Sequence, residues 1–254
     1  MAVALLAAPL LLVAALALPA APAEAAFPGD NGRIAFDRDS VDVDDDGDIY
    51  SIKPDGTGQA PIFAGPLDDD KPAYSPNGKK VAFSSDGNTA TNPEGDPEIY
   101  TINTDGTGLT NVTDNADAFE FEPNWSSTNK IVFERLDFID FSSDIYTINS
   151  DGTGLTNVTN SDRDEFSPNF SPEGSKIAYA SSPPGFEGEN EIFTINSDGS
   201  GAPNQVTETN GQVGDPDGSN DDNTEPAFSP DGRRSRTRAT WRAELTKTLT
   251  TSTS

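Results

Sequence analysis

Four segments of the chain are copies of one unit: "DIYSIKPDGTG" from Asp48, "EIYTINTDGTGLTNVT" from Glu98, "DIYTINSDGTGLTNVT" from Asp144 and "EIFTINSDGSG" from Glu191. Upstream of them stand "GRIAF" at Gly32, "KKVAF" at Lys79, "NKIVF" at Asn129 and "SKIAY" at Ser175. The marker aromatic (Tyr50, Tyr100, Tyr146, Phe193) returns every 46 to 50 residues. Recurrence at that length, in residues that favour strands, constrains the fold more than any other feature of the sequence. It predicts an all-β chain built as a β-propeller of four-stranded antiparallel blades, four blades being present with the start of a fifth.

Each part of the unit has a local reason. "YSPNGKKVAF" and "FSPEGSKIAY" place Pro after Ser and Gly three after it. That is a type I turn signal between a strand A and a strand B. The third unit reads "WSSTNKIVF", with Asn129 where the others have glycine, and asparagine tolerates the left-handed conformation required there. "IYTIN" is strand C, and "DGTG" turns it into strand D, "LTNVT". In the second unit the strands are predicted at about 72–75, 80–85, 98–103 and 109–113. The "NVT" triplets at Asn111 and Asn157 match glycosylation acceptors but recur with the unit, so they read as strand D.

The segment "PAYSPNGKKVAFSS" followed by "EIYTINTDGTGLTNVT" resembles the repeat of TolB-type β-propellers, periplasmic relatives of the WD-repeat propellers, and the resemblance covers residues 26–232. It implies a propeller and an incomplete copy of one, since such rings have six or more blades. It brings no catalytic residue, because the family repeat carries none. The separate α/β domain of TolB itself has no counterpart in this sequence, and neither does the hydrolase domain that follows related propellers.

The apolar run through residue 25, ending in Ala23-Glu24-Ala25, fits a secretory signal peptide, with an uncleaved anchor over 2–21 as the rival reading. A secreted or periplasmic location follows, with no membrane span after the signal is removed. At the other end, "FSPDGRR" should launch strand B of a fifth blade. Instead the composition turns basic and Thr-rich over 233–254, with six basic residues and one acidic. This fits a change of reading frame or a truncation better than a natural disordered tail. A ring of four blades would close if residues 226–229 paired beside Ile34–Asp37. Left open, it would show an apolar blade face and bare strand edges.

Cysteine and histidine are both absent, which removes disulfides, thiol nucleophiles and the commonest general base. A net charge of −27 excludes nucleic acid as a partner. In a four-stranded blade the A–B and C–D turns share one rim, and the B–C and D–A loops share the other. Most of the acidic residues fall in the B–C and D–A loops, so one rim is strongly negative. That rim predicts a basic protein partner or a surface glycan, engaged by a non-catalytic binding module.

In "DVDDDGD", Asp42, Asp44 and Asp46 match the opening of a calcium loop. The twelfth position, where an EF-hand has a bidentate Glu, is Lys53. The run is therefore not an EF-hand, and the three aspartates remain candidate Ca²⁺ ligands. Asp48 belongs to the repeat and reads as structural. Two alternatives stand beside the binding module. One is a carboxylate- or Ca²⁺-dependent hydrolase or lyase at the channel mouth, with Asp137, Asp140, Tyr179 and Arg135 as candidates. The other is a truncated product without function.

Overall fold

The computed structural model describes residues 32–39, 47–65, 67–87, 92–93, 95–139, 141–182, 190–207, 223–229 and 235–236. Among these every regular element is a strand, and no helix is long and apolar enough to cross a membrane. The signal-peptide reading of residues 1–25 and most of the basic tail lie outside the described residues.

Four antiparallel sheets follow one another along the chain. The first holds β1 (Ile34–Asp39), β2 (Gly47–Ile52) and β3 (Ala60–Phe63) in that order. The second holds β4 (Asp69–Tyr74), β5 (Lys80–Ser85), β6 (Glu98–Asn103) and β7 (Thr110–Asn111). The third holds β8 (Ala118–Trp125), β9 (Lys130–Asp137), β10 (Ser143–Asn149) and β11 (Thr156–Asn157). The fourth holds β12 (Glu165–Phe170), β13 (Lys176–Ser181), β14 (Glu191–Asn196) and β15 (Asn204–Gln205). Strands pair in chain order within each sheet, as the A–B–C–D reading requires. A fifth unit begins with β16 (Ala227–Phe228). It pairs with β17 (Ser235–Arg236) through Ala227↔Arg236 and Phe228↔Ser235, not with β1. The pairing against Ile34–Asp37 that a ring of four blades would need is therefore not made among the described residues. A short strand B exists where the sequence offers no apolar residue to build one, because a backbone ladder needs no particular side chain.

Strand A starts earlier than the sequence predicts, at Asp69 rather than 72, because it carries a bulge. Pairing of β4 with β5 slips between Asp70 and Ala73, and the same slip recurs between Phe121 and Asn124 and between Phe166 and Asn169. At each slip stands a residue in the left-handed region followed by proline: Lys71-Pro72, Glu122-Pro123, Ser167-Pro168, and also Glu225-Pro226 ahead of β16. Proline has no N–H for the ladder, and the bulge takes it out of register with the partner strand. The A–B turns form as expected, with Gly78 N–H donating to the Ser75 carbonyl and Gly174 N–H to that of Ser171. Asn129, at φ 61°, supplies the left-handed position in the third unit.

Side chains alternate between the two faces of each strand, so a blade inside the stack buries one face against its predecessor and the other against its successor. Three apolar clusters result, one per junction. Ile49 and Ile62 of the first blade meet Val81, Phe83, Tyr100 and Ile102 of the second. Ile99 and Val112 of the second meet Trp125, Ile131, Phe133 and Ile148 of the third. Ile145 and Val158 of the third meet Phe170, Ile177, Tyr179, Phe193 and Ile195 of the fourth.

The "DGTG" turn closes each junction at its outer edge. Its aspartate accepts from the backbone N–H and hydroxyl of the residue two further on: Thr57, Thr107, Thr153 and Ser200 take the N–H role in the four copies. Its first glycine sits at φ near +80° and, in the second to fourth blades, lies against the preceding blade. A Cβ on Gly106 would stand 3.1 Å from the Ile62 carbonyl oxygen, and one on Gly152 would stand 3.2 Å from that of Val112. Gly106→Ala is therefore expected to cost about 1–2 kcal/mol in urea unfolding from the left-handed backbone alone. Gly78→Ala, where a Cβ meets nothing within 4 Å, should cost no more than that. Equal or smaller loss at Gly106 would deny the close approach between blades.

Candidate functional site

The loops sort onto two rims as the strand directions require. On one rim the C–D turn meets the A–B turn: Thr104 N–H donates to the Lys79 carbonyl, Ser150 to Asn129 and Ser197 to Ser175. On the other the B–C loop meets the D–A loop: Asp86 N–H donates to the Asp68 carbonyl, Phe138 to Asp117 and Ser182 to Asp164. The second rim carries Asp68, Asp70, Asp86, Asp114, Asp117, Asp162 and Asp164 among its described residues.

Beneath this rim lies a layer that the sequence reading treated only in part. An acid stands at the start of strand C in every blade (Asp48, Glu98, Asp144, Glu191), and in the second and third blades it ties down the D–A loop. Glu98 Oε1 accepts from Asn115 N–H at 2.6 Å, and Glu98 also accepts from Asn111 Nδ2. Asp144 accepts from Ser161 N–H at 3.0 Å, from Asn157 Nδ2 at 2.8 Å and from Thr159 Oγ1 at 3.2 Å. The loop residue then reaches the next blade: Asn115 Nδ2 donates to Glu120 Oε1 at 2.6 Å, and Ser161 Oγ donates to Glu165. The "NVT" triplet thus has a structural use, with Asn holding the acid, Val in the junction and Thr accepting the N–H of Ile99 or Ile145.

Acids consequently face one another across the junctions: Asp48 with Asp69, Glu98 with Glu120, and Asp144 with Glu165. The strand A members are buried, and loss of water is the main cause that pushes each carboxyl up to about 7, with the neighbouring acid adding to it. Desolvation likewise lifts Glu134 to about 7 and Asp70 to about 6. Arg135 offsets the burial at Glu120, with Nη1 3.3 Å from Glu120 Oε1 and its guanidinium 5.3 Å from the Tyr146 ring centre. The signal for this layer was present in the sequence as an acid three residues before each strand A proline (Asp69, Glu120, Glu165), with Asn223 in that place before Pro226.

The candidate residues separate. Asp42, Asp44, Asp46 and Asp140 lie outside the described residues. Tyr179 is a core residue stacked on Phe193 with ring centres 5.9 Å apart, and burial raises its hydroxyl pKa. Arg135 is committed to Glu120 and Tyr146. Asp137 reaches the rim, where it shapes the β9–β10 hairpin: its Oδ1 accepts from Ile139 N–H at 2.7 Å and its carbonyl from Phe141 N–H at 3.0 Å. Tyr179, Arg135 and Asp137 thus each have a structural place of their own, and no group of three acids suited to a metal occurs among the described residues.

The hairpin that Asp137 shapes is the feature the sequence reading passed over. Ile139 is 87% exposed and Phe141 73% exposed at its tip, and Phe141 is held at φ 57°. Phe138 beside them packs edge-on to Phe119 at 4.5 Å. The tip stands between Asp117, whose carbonyl holds Phe138 N–H, and Asp164, whose Oδ1 accepts from Ser143 N–H at 3.3 Å. An apolar prominence framed by carboxylates suits contact with a surface that is both apolar and basic.

Comparison with known proteins bears on the fold. No curated protein matches the chain by sequence. The chain is similar in structure to TolB from Acinetobacter baumannii, with a TM-score of 0.57 at 20% identity, over 80% of this chain and 45% of that one. It is similar to a putative TolB from Agrobacterium tumefaciens, with a TM-score of 0.61 at 19% identity, over 80% of this chain and 69% of that one. It also resembles hydrazine synthase from Kuenenia stuttgartiensis, with a TM-score of 0.62 at 16% identity, over 79% of this chain and 34% of that one. The chain thus spans less than half the length of the Acinetobacter protein. The family model described as the TolB beta propeller domain matches residues 14–221. With four successive blades built in this way, the chain belongs to the TolB β-propeller domain family.

Proposed function

We propose that the protein is a secreted or periplasmic binding module that takes a basic protein partner on its B–C/D–A rim. One observation carries this reading: the exposed pair Ile139 and Phe141, presented between Asp117 and Asp164. Single exposed apolar residues are ordinary, but an aromatic held at a left-handed φ pays about 1–2 kcal/mol for its position. Strain retained at an exposed position accords with use in binding. The leader-like residues 1–25 and the resemblance to periplasmic propellers support the location.

A defined probe tests the reading. A cationic amphipathic peptide titrated by calorimetry is expected to bind, more weakly as salt rises. Phe141→Gly removes the ring together with the strain, so it should weaken binding at least about tenfold while leaving the melting temperature unchanged or higher. Binding unaffected by Phe141→Gly would rule out the hairpin tip as the contact.

A further inference from the structure

The junction between blades occurs three times within the chain, and among the described residues its two halves stand uncovered at opposite ends of the stack. Within the stack, the strand D residue of each blade is buried under its successor: Ile62, Val112 and Val158 are all nearly inaccessible. Val206 holds that position in the fourth blade and is 42% exposed. Ile192 beside it is fully buried and Pro226 is buried as well, so the opening lies at the outer part of the face.

At the other end, strand B of each later blade has near its start a residue buried against its predecessor (Val81, Ile131, Ile177). Ile34 holds that position in the first blade and is 52% exposed, with Phe36, Tyr50 and Ile52 half-buried behind it. The turn glycines agree. Gly106, Gly152 and Gly199 each lie against the preceding blade, at Ile62, Val112 and Val158, whereas a Cβ on Gly56 meets nothing within 4 Å. The first blade therefore carries an unused turn and apolar edge, and the fourth carries the surface on which such a turn and edge rest.

Strand pairing shows the same complementarity. Among the described residues the first blade has three strands, and β1 pairs with β2 alone. The chain also has an extra strand A, β16, entered through Glu225-Pro226, the same left-handed residue and proline that mark strand A in the second to fourth blades. Its partner β17 offers two residues, where β1 offers six.

We propose that two copies of the chain join end to end. The first blade of one copy packs on the fourth blade of the other, with Ile34 and the Gly56 turn covering Val206, and β1 takes β16 of the other copy as its innermost strand in place of β17. This contact continues the junction already made three times inside each chain, which is why a second copy fits it better than an unrelated partner. It is heterologous, since unlike ends meet.

The asymmetry gives the test. Ile34 and Val206 are exposed in the single chain, so Ile34→Asp and Val206→Asp should leave its melting temperature within a few degrees of the parent. Sedimentation velocity should show the unsubstituted protein associating at micromolar concentration, and each variant alone as a monomer. Mixing the two variants should restore a one-to-one dimer, because one retains a sound fourth blade and the other a sound first blade. A monomeric parent protein would overturn the proposal, and so would a mixture that stays monomeric. So would a dimer that survives either substitution alone.

Discussion

Phe133→Ala is expected to remove about 3–5 kcal/mol of stability in urea unfolding, while Phe36→Ala, the same residue at the same place in the repeat, removes about 1–2 kcal/mol. Phe133 is fully buried in the second junction, among Trp125, Ile131 and Ile148. Its ring lies 6.2 Å from that of Tyr146. Deleting it leaves a cavity that two β-sheets on either side cannot close. Phe36 has Tyr50 as a stacking neighbour at 6.0 Å and is only half-buried, because among the described residues no blade precedes it in the stack. The contrast isolates what neighbours contribute, since the side chain and local strand are the same. Repeat proteins draw their stability from such contacts between units. Equal losses at the two positions would mean that each blade is stable by itself.

Stability is also expected to fall as pH rises from about 5 to 8, by at least about 2 kcal/mol. Burial first, and the facing acid second, holds the carboxyls of Asp69, Glu120 and Glu165 near 7 in the folded chain. Unfolded, the same groups lose their protons near pH 4. Between these values the folded state binds more protons than the unfolded one, so raising the pH favours unfolding through that window. Each of Glu120 and Glu165, moved from 4.5 to about 7, accounts for up to about 3 kcal/mol of penalty above pH 7.

The turn aspartates act in the opposite sense. Hydrogen bonds from Thr57, Thr107, Thr153 and Ser200 hold Asp55, Asp105, Asp151 and Asp198 below 3.8. What they contribute is present above that value and lost as pH falls beneath it. The optimum should therefore lie near about pH 4–5. Glu165→Gln tests the cause, because glutamine keeps an acceptor for Ser161 Oγ, can donate to Asp144 and never ionises. The variant should be more stable than the parent at pH 8 and lose less between pH 5 and 8. A flat parent profile, or a slope unchanged in Glu165→Gln, would contradict this assignment.

The repeat made the blade legible, and its uniformity set the limits of the reading. Strands B and C were placed to the residue at Lys80–Ser85 and Glu98–Asn103, since Val, Ile and aromatic residues alternate there. The "DGTG" glycines and Asn129 announced left-handed positions by residue type alone. Strand A was read short, because Lys71-Pro72 looks like a strand boundary and is instead a bulge inside one. The facing acids were missed for a related reason: Glu98 and Glu120 belong to different units, and a repeat shows what recurs without showing what meets across the seam. At the rim the carboxylates Asp137 and Asp140 carry a sequence signal for chemistry, whereas the apolar residues beside them, Ile139 and Phe141, carry none. Whether 226–229 meets Ile34–Asp37 depends on curvature summed over four blades, which no local pattern encodes.

Hydrogen exchange of the backbone amides tests the central claim most directly, that four sheets stack in series and share their cores. Slow exchange should recur in strands B and C of the second, third and fourth blades, at Val81–Phe83 with Ile99–Ile102, Ile131–Phe133 with Ile145–Ile148, and Ile177–Tyr179 with Ile192–Ile195. The first blade should be weaker and the D–A loops fast. Protection confined to a single repeat, or spread without the spacing of the repeat, would contradict the account.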